Sequence, residues 1–407
     1  MRLRINRRKG RWVIAQITPF AIIYIMAKLL QHIDLYTGSK HLTDAYLRFT
    51  DVIHDVGYMT DFTPQNDDEL VVEATGKLVV PGFIDVHKHG GYGLDTMDGD
   101  VEKLDDMVNK MVTEGITSLF PTTMTQSPEN IERALLTIDE VAKINPVIQG
   151  IHLEGPFINK VFMGAQPEEY IIDPNTALLK KWYELSGKRI RLVTYAPENG
   201  GIPDFEEFML KHHIIPSIGH SNATRAQLLH SRATHITHLY NAQRPLHHRE
   251  PGVTGHGMIE ESITGELIAD GFHIVPDMLE IAFRLKGAHR LELVTDSMRA
   301  EGLGNGVSEL GGQKVVVQDK QARLENGHLA GSVLAYDDAF RHIQQFTSAD
   351  INDAVQMSSV NQAREFGLTQ KGDLSFGKDA DFNIFNKEDM QLQATYSLGR
   401  RFARENL

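Results

Sequence analysis

Pro81-Gly82-Phe83-Ile84-Asp85-Val86-His87-Lys88-His89-Gly90-Gly91 is the stretch on which the reading of this chain turns. An apolar run ends in two histidines at i and i+2, and two glycines follow at once. On an extended strand that spacing points both imidazoles to one face, and the glycines let the backbone turn sharply beside them. A His-x-His pair at a strand end suits a metal ion. One pair alone is a weak signal, because a single histidine is more often a structural hydrogen-bonding residue.

The same pattern recurs along the chain. Short apolar runs at 82–86, 116–120, 147–153, 190–195, 214–218, 235–237, 266–269 and 291–295 read as eight strands, each closed by a small or polar residue. Amphipathic stretches lie between them, such as 101–114 with Leu104, Met107, Val108, Met111 and Val112, and 131–144 with Leu135, Leu136 and Ile138. Eight βα units predict an α/β fold, a (β/α)8 TIM barrel with its active site at the carboxyl ends of the strands. Strand counting does not by itself show closure, so a doubly wound open sheet is the alternative.

The residues at those strand ends carry chemistry. Glu154, His220, His238 and Asp296 close or follow four of the runs, and His273 follows the seventh. In a barrel they converge on one rim beside His87 and His89. Three His, one Glu and one Asp form a nitrogen and oxygen donor set for Zn²⁺ or Fe²⁺, whereas Mg²⁺ sites use carboxylates and waters. The competing reading is five independent hydrogen-bonding residues at loop starts.

Composition narrows the classes. At 407 residues, with 41% apolar and 23% charged residues and 34 Gly against 15 Pro, the chain is globular, and collagen, coiled coil and wholesale disorder are excluded. There are no cysteines, which removes disulfides, thiolate nucleophiles and Cys-ligated metals. Asp+Glu 54 against Lys+Arg 41 gives −13, which argues against nucleic acid or an anionic membrane as a general partner.

The flanks differ from the centre. Residues 26–79 show short β segments, such as 45–49 and 70–80, and the tail from 365 returns to turns and alternating strand, notably at 372–385. Both ends therefore predict one small β-sandwich domain, 26–79 with 365–407, attached to a barrel at 80–364. Residues 1–25 form an atypical N-terminal extension. It begins with the basic group Arg2, Arg4, Arg7, Arg8, Lys9 and Arg11, and an interrupted apolar run follows. That is the outline of a signal peptide or anchor, but the run is short for a span and no small-x-small cleavage site follows. An ordinary strand pattern starts right after Met26, which favours an over-long reading frame over export or anchoring.

Six segments now carry a resemblance. They are 81–91, His152-Leu153-Glu154-Gly155-Pro156-Phe157, Gly219-His220-Ser221-Asn222-Ala223-Thr224, Thr237-His238-Leu239-Tyr240-Asn241-Ala242, Ala269-Asp270-Gly271-Phe272-His273 and Leu293-Val294-Thr295-Asp296. In this order they resemble the N-acetylglucosamine-6-phosphate deacetylases of the amidohydrolase superfamily, and the match runs from residue 26 to the end. The resemblance implies a metal-bearing barrel that hydrolyses the acetamido group of a phosphorylated amino sugar, in amino-sugar catabolism. Glu154, His220 and His238 correspond to the principal metal ligands. Some members have lost the His pair and hold one metal, while others keep it and can hold two. Retention of His87 and His89 therefore implies a divalent Zn or Fe cofactor with one or two ions per subunit, Glu154 bridging when there are two.

The implied mechanism uses a metal-activated water, with Asp296 accepting its proton and returning it to the leaving amine, and His273 hydrogen-bonding the substrate near the carbonyl. Arg249 matches the phosphate-contacting arginine, and Asn241 and the Ala242 amide match its companions. A surface ion pair with Glu250 is the competing reading for Arg249, and Gln243 departs from the methionine usual in the family. Ala165, Leu329, Ala330 and Gly331 match sugar-pocket backbone contacts. A homodimer in the cytoplasm is expected, with a small phosphosugar as substrate and no membrane partner unless residues 1–25 anchor the chain. Two alternatives change the substrate, to the galacto epimer or to a cyclic amide. A third is a non-catalytic sugar-phosphate binding protein, which predicts a broken ligand set where this chain fills every expected position.

Overall fold

Apolar runs buried on both faces pair best as neighbours in a parallel sheet, because helices cover the sheet on each side. A computed structural model of the chain describes residues 27–65 and 69–403, together with the backbone of a short strand pair, Arg7–Arg8 and Arg11–Trp12. In it the eight runs are the parallel strands Phe83–Lys88, Ile116–Thr123, Ile151–Glu154, Ile190–Tyr195, Ile215–Ile218, His235–Ile236, Thr264–Ile268 and Leu291–Val294, adjacent in chain order. The rest of the N-terminal extension lies outside the described residues.

The first and last strands meet at a seam built largely by side chains. The Asp296 amide donates to His87 O at 2.8 Å, and the Thr295 hydroxyl donates to the Asp85 carboxylate at 2.7 Å. The buried Tyr336 hydroxyl lies 2.8 Å from Leu293 O and 3.2 Å from Ile84 O, so it reaches both strands. Burial raises the Asp85 carboxyl to about 6. The sheet thus closes into a (β/α)8 barrel, and the open-sheet alternative falls away.

Helices form where the 3.6-residue period says they should. Val101–Met111 starts under the Asp100 cap and buries Leu104, Met107, Val108 and Met111 on one face. Pro128–Ala142 starts under the Ser127 cap and buries Ile131, Ala134, Leu135, Ile138 and Val141. After the eighth strand the chain makes an excursion that the βα rhythm does not announce. This is a three-stranded meander, Gly306–Leu310, Gln313–Gln318 and Gln321–Leu324, packed on Met124 and Met298 near the barrel mouth.

Strands from both ends of the chain form one mixed sheet, whose main path runs Arg400–Phe402, Leu392–Ser397, Phe382–Asn386, Lys77–Pro81, Lys28–Tyr36, His41–Phe49 and Ile53–Tyr58. Three strands separate Phe49 from Tyr396 along this path, which in a flat sheet would be almost 20 Å. Their rings are 5.3 Å apart, and Phe49 is 4.9 Å from Phe382. The sheet therefore curls into two facing layers over its own core, which is the β domain built from both termini. Lys77–Pro81 runs directly into the first barrel strand, so the sheet is continuous with the strand that bears His87. Among the described residues no helix is long and apolar enough to cross a membrane.

Candidate active site

At the carboxyl end of the barrel the residues singled out from the sequence gather around Glu154. His220 Nε2 and His238 Nε2 each lie 3.2 Å from Glu154 Oε1 and 3.1 Å from one another. Three donors about 2.0–2.1 Å from a common tetrahedral centre would sit about 3.3 Å apart, so this triangle has the size of a metal site. A second triad adjoins it. His87 Nε2 and His89 Nε2 are each 3.4 Å from Asp296 Oδ1, and His89 Nε2 is 3.1 Å from Glu154 Oε2. Glu154 thus turns one oxygen to each triad.

Backbone geometry sets these side chains. His220, His238 and Asp296 take left-handed φ values of 47°, 32° and 47°, so the chain turns away abruptly as each strand ends and leaves the side chain on the inner rim. Gly90 beside the His pair allows close passage, since a Cβ there would lie 2.4 Å from Leu94 O and 2.8 Å from the Arg299 amide nitrogen.

Outer hydrogen bonds fix two of the imidazoles, those of His220 and His87. His220 Nδ1 donates to Phe162 O at 2.9 Å, which leaves Nε2 as the lone pair facing Glu154. His87 Nδ1 donates to Glu266 Oε2 at 2.8 Å, and the same oxygen accepts the His238 amide at 2.9 Å. Gln166 donates to Glu154 Oε2 at 2.8 Å and accepts from the Thr125 amide at 2.8 Å.

Charge at the centre favours a cation. Burial opposes ionisation of Glu154, yet His87, His220, His238 and His89 outweigh it and hold the carboxyl well below its ordinary range. Burial likewise opposes the charged form of His87, but Asp296, Glu266 and Glu154 push it up to about 9. His87 Nε2 is buried without a hydrogen-bond partner, and carboxylates face it. A buried, orphaned imidazole nitrogen facing carboxylates is what a divalent metal satisfies, and the donors present match the expected group.

A cavity of about 560 Å³ opens above this centre. His89, Glu154, His220, His238, His273 and Asp296 line it, and so do Ala165, Asn241, Ala242, Leu329 and Gly331. His273 Nδ1 donates to Asp270 Oδ2 at 2.6 Å, leaving Nε2 for a ligand. Burial would lower the His273 pKa, but Asp270 and the more distant Asp296 raise it overall, which favours a protonated Nε2 donor.

Three of the expected residues do not line the cavity, though His87 still belongs to the second triad. His87 lies beneath the cavity floor, Ala330 is buried behind the wall, and Arg249 is exposed with its guanidinium 2.8 Å from His248 Nε2. The ion pair considered for Arg249 with Glu250 is absent as well, because Glu250 accepts from the Arg225 and Gly252 amides. Glu266, Gln166, Arg323 and His328 went unnoticed in the sequence. Glu266 stood within a strand candidate, but nothing marked it as the partner of His87. Arg323 and His328 reach the cavity from the meander, for which the sequence offered no placement.

Comparisons with known proteins show the family of the chain. Residues 78–402 match the model of the Amidohydrolase family. The chain is 42% identical over 344 residues to an N-acetylglucosamine-6-phosphate deacetylase of Lysinibacillus sphaericus, covering 83% of this chain and 88% of that one. Its identity to the enzyme of that name from Bacillus subtilis is 38% over 371 residues, covering 88% and 93%. A solved structure of a mutant N-acetyl-D-glucosamine-6-phosphate deacetylase from Mycobacterium smegmatis, in complex with N-acetyl-D-glucosamine-6-phosphate, is similar with a TM-score of 0.86 at 28% identity, covering 92% of this chain and 99% of that one.

Proposed function

The chain belongs to the amidohydrolase family, and from that premise we propose that it removes the acetyl group of N-acetylglucosamine 6-phosphate, releasing acetate and glucosamine 6-phosphate. The observation that carries the reading is the pair of adjoining ligand triads, one containing Glu154 and the other facing it, at the floor of the cavity. Glu154, His220 and His238 would hold one divalent cation, and His87, His89 and Asp296 the neighbouring one. Imidazole and carboxylate donors suit Zn²⁺ or Fe²⁺. When bound, such a cation supplies Lewis acidity, which polarises a carbonyl and makes hydroxide accessible near neutral pH.

The rest is the work of the chain's own side chains. Asp296 accepts the proton of the attacking water and delivers it to the amine nitrogen as the C–N bond breaks, because an amine cannot leave as an anion. His273, steadied by Asp270, donates from Nε2 to the acetyl oxygen as negative charge develops there. Glu266 holds His87, and Gln166 holds Glu154, each in the rotamer the centre needs. Asn241 and the Ala242 amide, which also line the cavity, receive the sugar phosphate.

Arg249 completes the phosphate site only from a second copy of the chain, since it is exposed outside its own cavity. A homodimer is therefore part of the proposal, as is action on a soluble phosphosugar in the cytoplasm.

The test is acetate release by purified protein loaded with Zn²⁺ or Fe²⁺, with the gluco and galacto phosphosugars side by side. Turnover of the gluco substrate that a chelator abolishes and added metal restores supports the reading. Absence of acetate from the metal-loaded protein overturns it.

A further inference from the structure

At the amino-terminal end of the barrel interior, away from the cavity, lies a cluster that the hydrolase reading leaves unused. His235 begins the sixth strand, Glu292 is second in the eighth, and Glu365 ends the helix Asn361–Glu365. The Asn361 side-chain amide lies 2.7 Å from both Ala288 O and Leu291 O, which docks this helix where the eighth strand starts. One ligand atom each from His235, Glu292 and Glu365 lie within 4.8 Å of one another.

Two features point to a missing positive charge. Glu292 is fully buried, and among the described residues no N–H or hydroxyl donor reaches its carboxylate oxygens or Glu365 Oε2; the group within hydrogen-bond reach of Glu292 is the Glu365 carboxyl. Two acceptors thus confront each other in a buried place, an arrangement that is costly unless a proton or a cation lies between them. Glu266 adds a third carboxylate nearby, with His87 on one oxygen and His235 on the other, so Glu292 and Glu365 are left with His235 alone as an imidazole partner among the described residues.

His235 is oriented for ligation. Its Nε2 is 3.2 Å from Glu266 Oε1 and its Nδ1 is 3.2 Å from Glu365 Oε1. The second distance, like the first, is long for a charge-assisted N–H to carboxylate bond, which falls at about 2.7–2.9 Å. It matches the edge between two ligands of one ion. With Nε2–H given to Glu266, Nδ1 presents its lone pair to the cluster, the carboxylate–histidine–metal order common in protein sites. Phe366, its ring 6.2 Å from His235, packs against this end of the barrel.

We propose that His235, Glu292 and Glu365 bind a divalent transition-metal cation of the Zn²⁺ class, a structural ion that fastens the helix Asn361–Glu365 to the barrel floor. This ion is separate from those of the hydrolase centre and touches no substrate.

The test is the zinc content of the full chain after loading with Zn²⁺ alone and removal of excess, measured for the wild type and for Glu292→Gln. The expected result is a loss of one equivalent in the variant while kcat/KM for deacetylation stays within about twofold of wild type. Unchanged zinc content overturns the proposal and leaves Glu292 neutral, sharing a proton with Glu365. Should Glu292→Gln not fold, anomalous diffraction at the zinc edge from wild-type crystals decides, with a peak between the three side chains supporting the ion and its absence refuting it. Neither readout depends on which sugar the cavity takes, so failure here leaves the hydrolase reading standing.

Discussion

Replacing Asp296 by asparagine isolates proton transfer from everything else at the centre. Asp296 ends the eighth strand at a φ of 47°, a left-handed conformation that asparagine tolerates well. Its amide bond to His87 O is retained, and the side chain keeps its shape. What disappears is a carboxylate lying 3.4 Å from both His87 Nε2 and His89 Nε2. General acid–base catalysis is worth about 10²–10⁴-fold, and Asp296 acts twice in succession. The expected loss in kcat is about 10³–10⁴-fold, or about 4–5.5 kcal/mol at 1.36 kcal/mol per decade. KM changes little, and at least one equivalent of metal remains, because Glu154, His220 and His238 are untouched.

The pH dependence follows from the same surroundings. Burial pushes the Asp296 carboxyl up, but His87 and His89 outweigh it and hold the pKa below its ordinary value. A lowered carboxyl pKa keeps the base ionised as pH falls, so the wild-type rate should show no acid limb from this group between pH 8 and 5. The assay is acetate release with metal content measured on the same samples. A kcat within tenfold of wild type at equal metal content would refute the assignment of Asp296 as the proton carrier.

Glu266→Gln removes the carboxylate that orients His87, and should cost about 10–100-fold in metal affinity while excess metal restores most of kcat, as titration of activity against free Zn²⁺ will show. Mixing Arg249→Ala chains with Asp296→Asn chains should restore activity that neither has alone, because a mixed dimer contains one site with an intact Asp296 and its partner's arginine; no recovery after subunit exchange would count against a shared site. His256 is held neutral, its pKa lowered to about 4 from 6.5 by burial and by Arg225, which donates to Nδ1 at 2.7 Å. Its contribution is whole above pH 6.5 and is lost as pH falls towards 4, at most about 3 kcal/mol and about 1–2 after screening by solvent, so between pH 7 and 5 the wild-type Tm should fall more steeply than that of His256→Gln. Gly90→Ala should destabilise by roughly 1–3 kcal/mol in denaturant unfolding, because the new Cβ meets the backbone at Leu94 O and Arg299 N and neither can swing aside.

The barrel was legible because a parallel sheet buried on both faces must be written as apolar runs, and eight of them alternate with amphipathic helices. The ends of those runs told where the chemistry gathers, since topology alone brings strand ends to one rim. The third strand shows the limit of that reading. The run from Val147 suggested a longer strand than Ile151–Glu154, and residues 147–149 instead approach Leu119 as an irregular lead-in, the Leu119 amide donating to Val147 O and the Gln149 amide to Leu119 O. The meander was opaque for a different reason. Its Gln313-Lys314-Val315-Val316-Val317-Gln318 alternation marks a strand, but nothing in a period of two says which distant surface the strand will cover. Arg323 and His328 therefore reach the cavity without any local sign.

The residues that sequence pattern does predict and those it misses differ in what fixes them. His220, His238 and Asp296 sit where regular structure stops, each in a left-handed conformation costing about 1–3 kcal/mol outside glycine. Such a conformation persists only where surrounding bonds over-determine it. Here the Asp296 amide is tied to His87 O, the His238 amide to Glu266 and the His220 ring to Phe162 O. Two of those ties cross between barrel strands, so the strain at Asp296 and at His238 is borne by a neighbouring strand. Loosening one tie should therefore disturb more than one ligand. Glu266 makes this testable within a single side chain, because one oxygen holds both the His87 ring and the His238 backbone, one from each triad. If the triads are coupled this way, Glu266→Gln weakens both metal equivalents together in a titration, whereas independent sites would lose only the one that His87 serves.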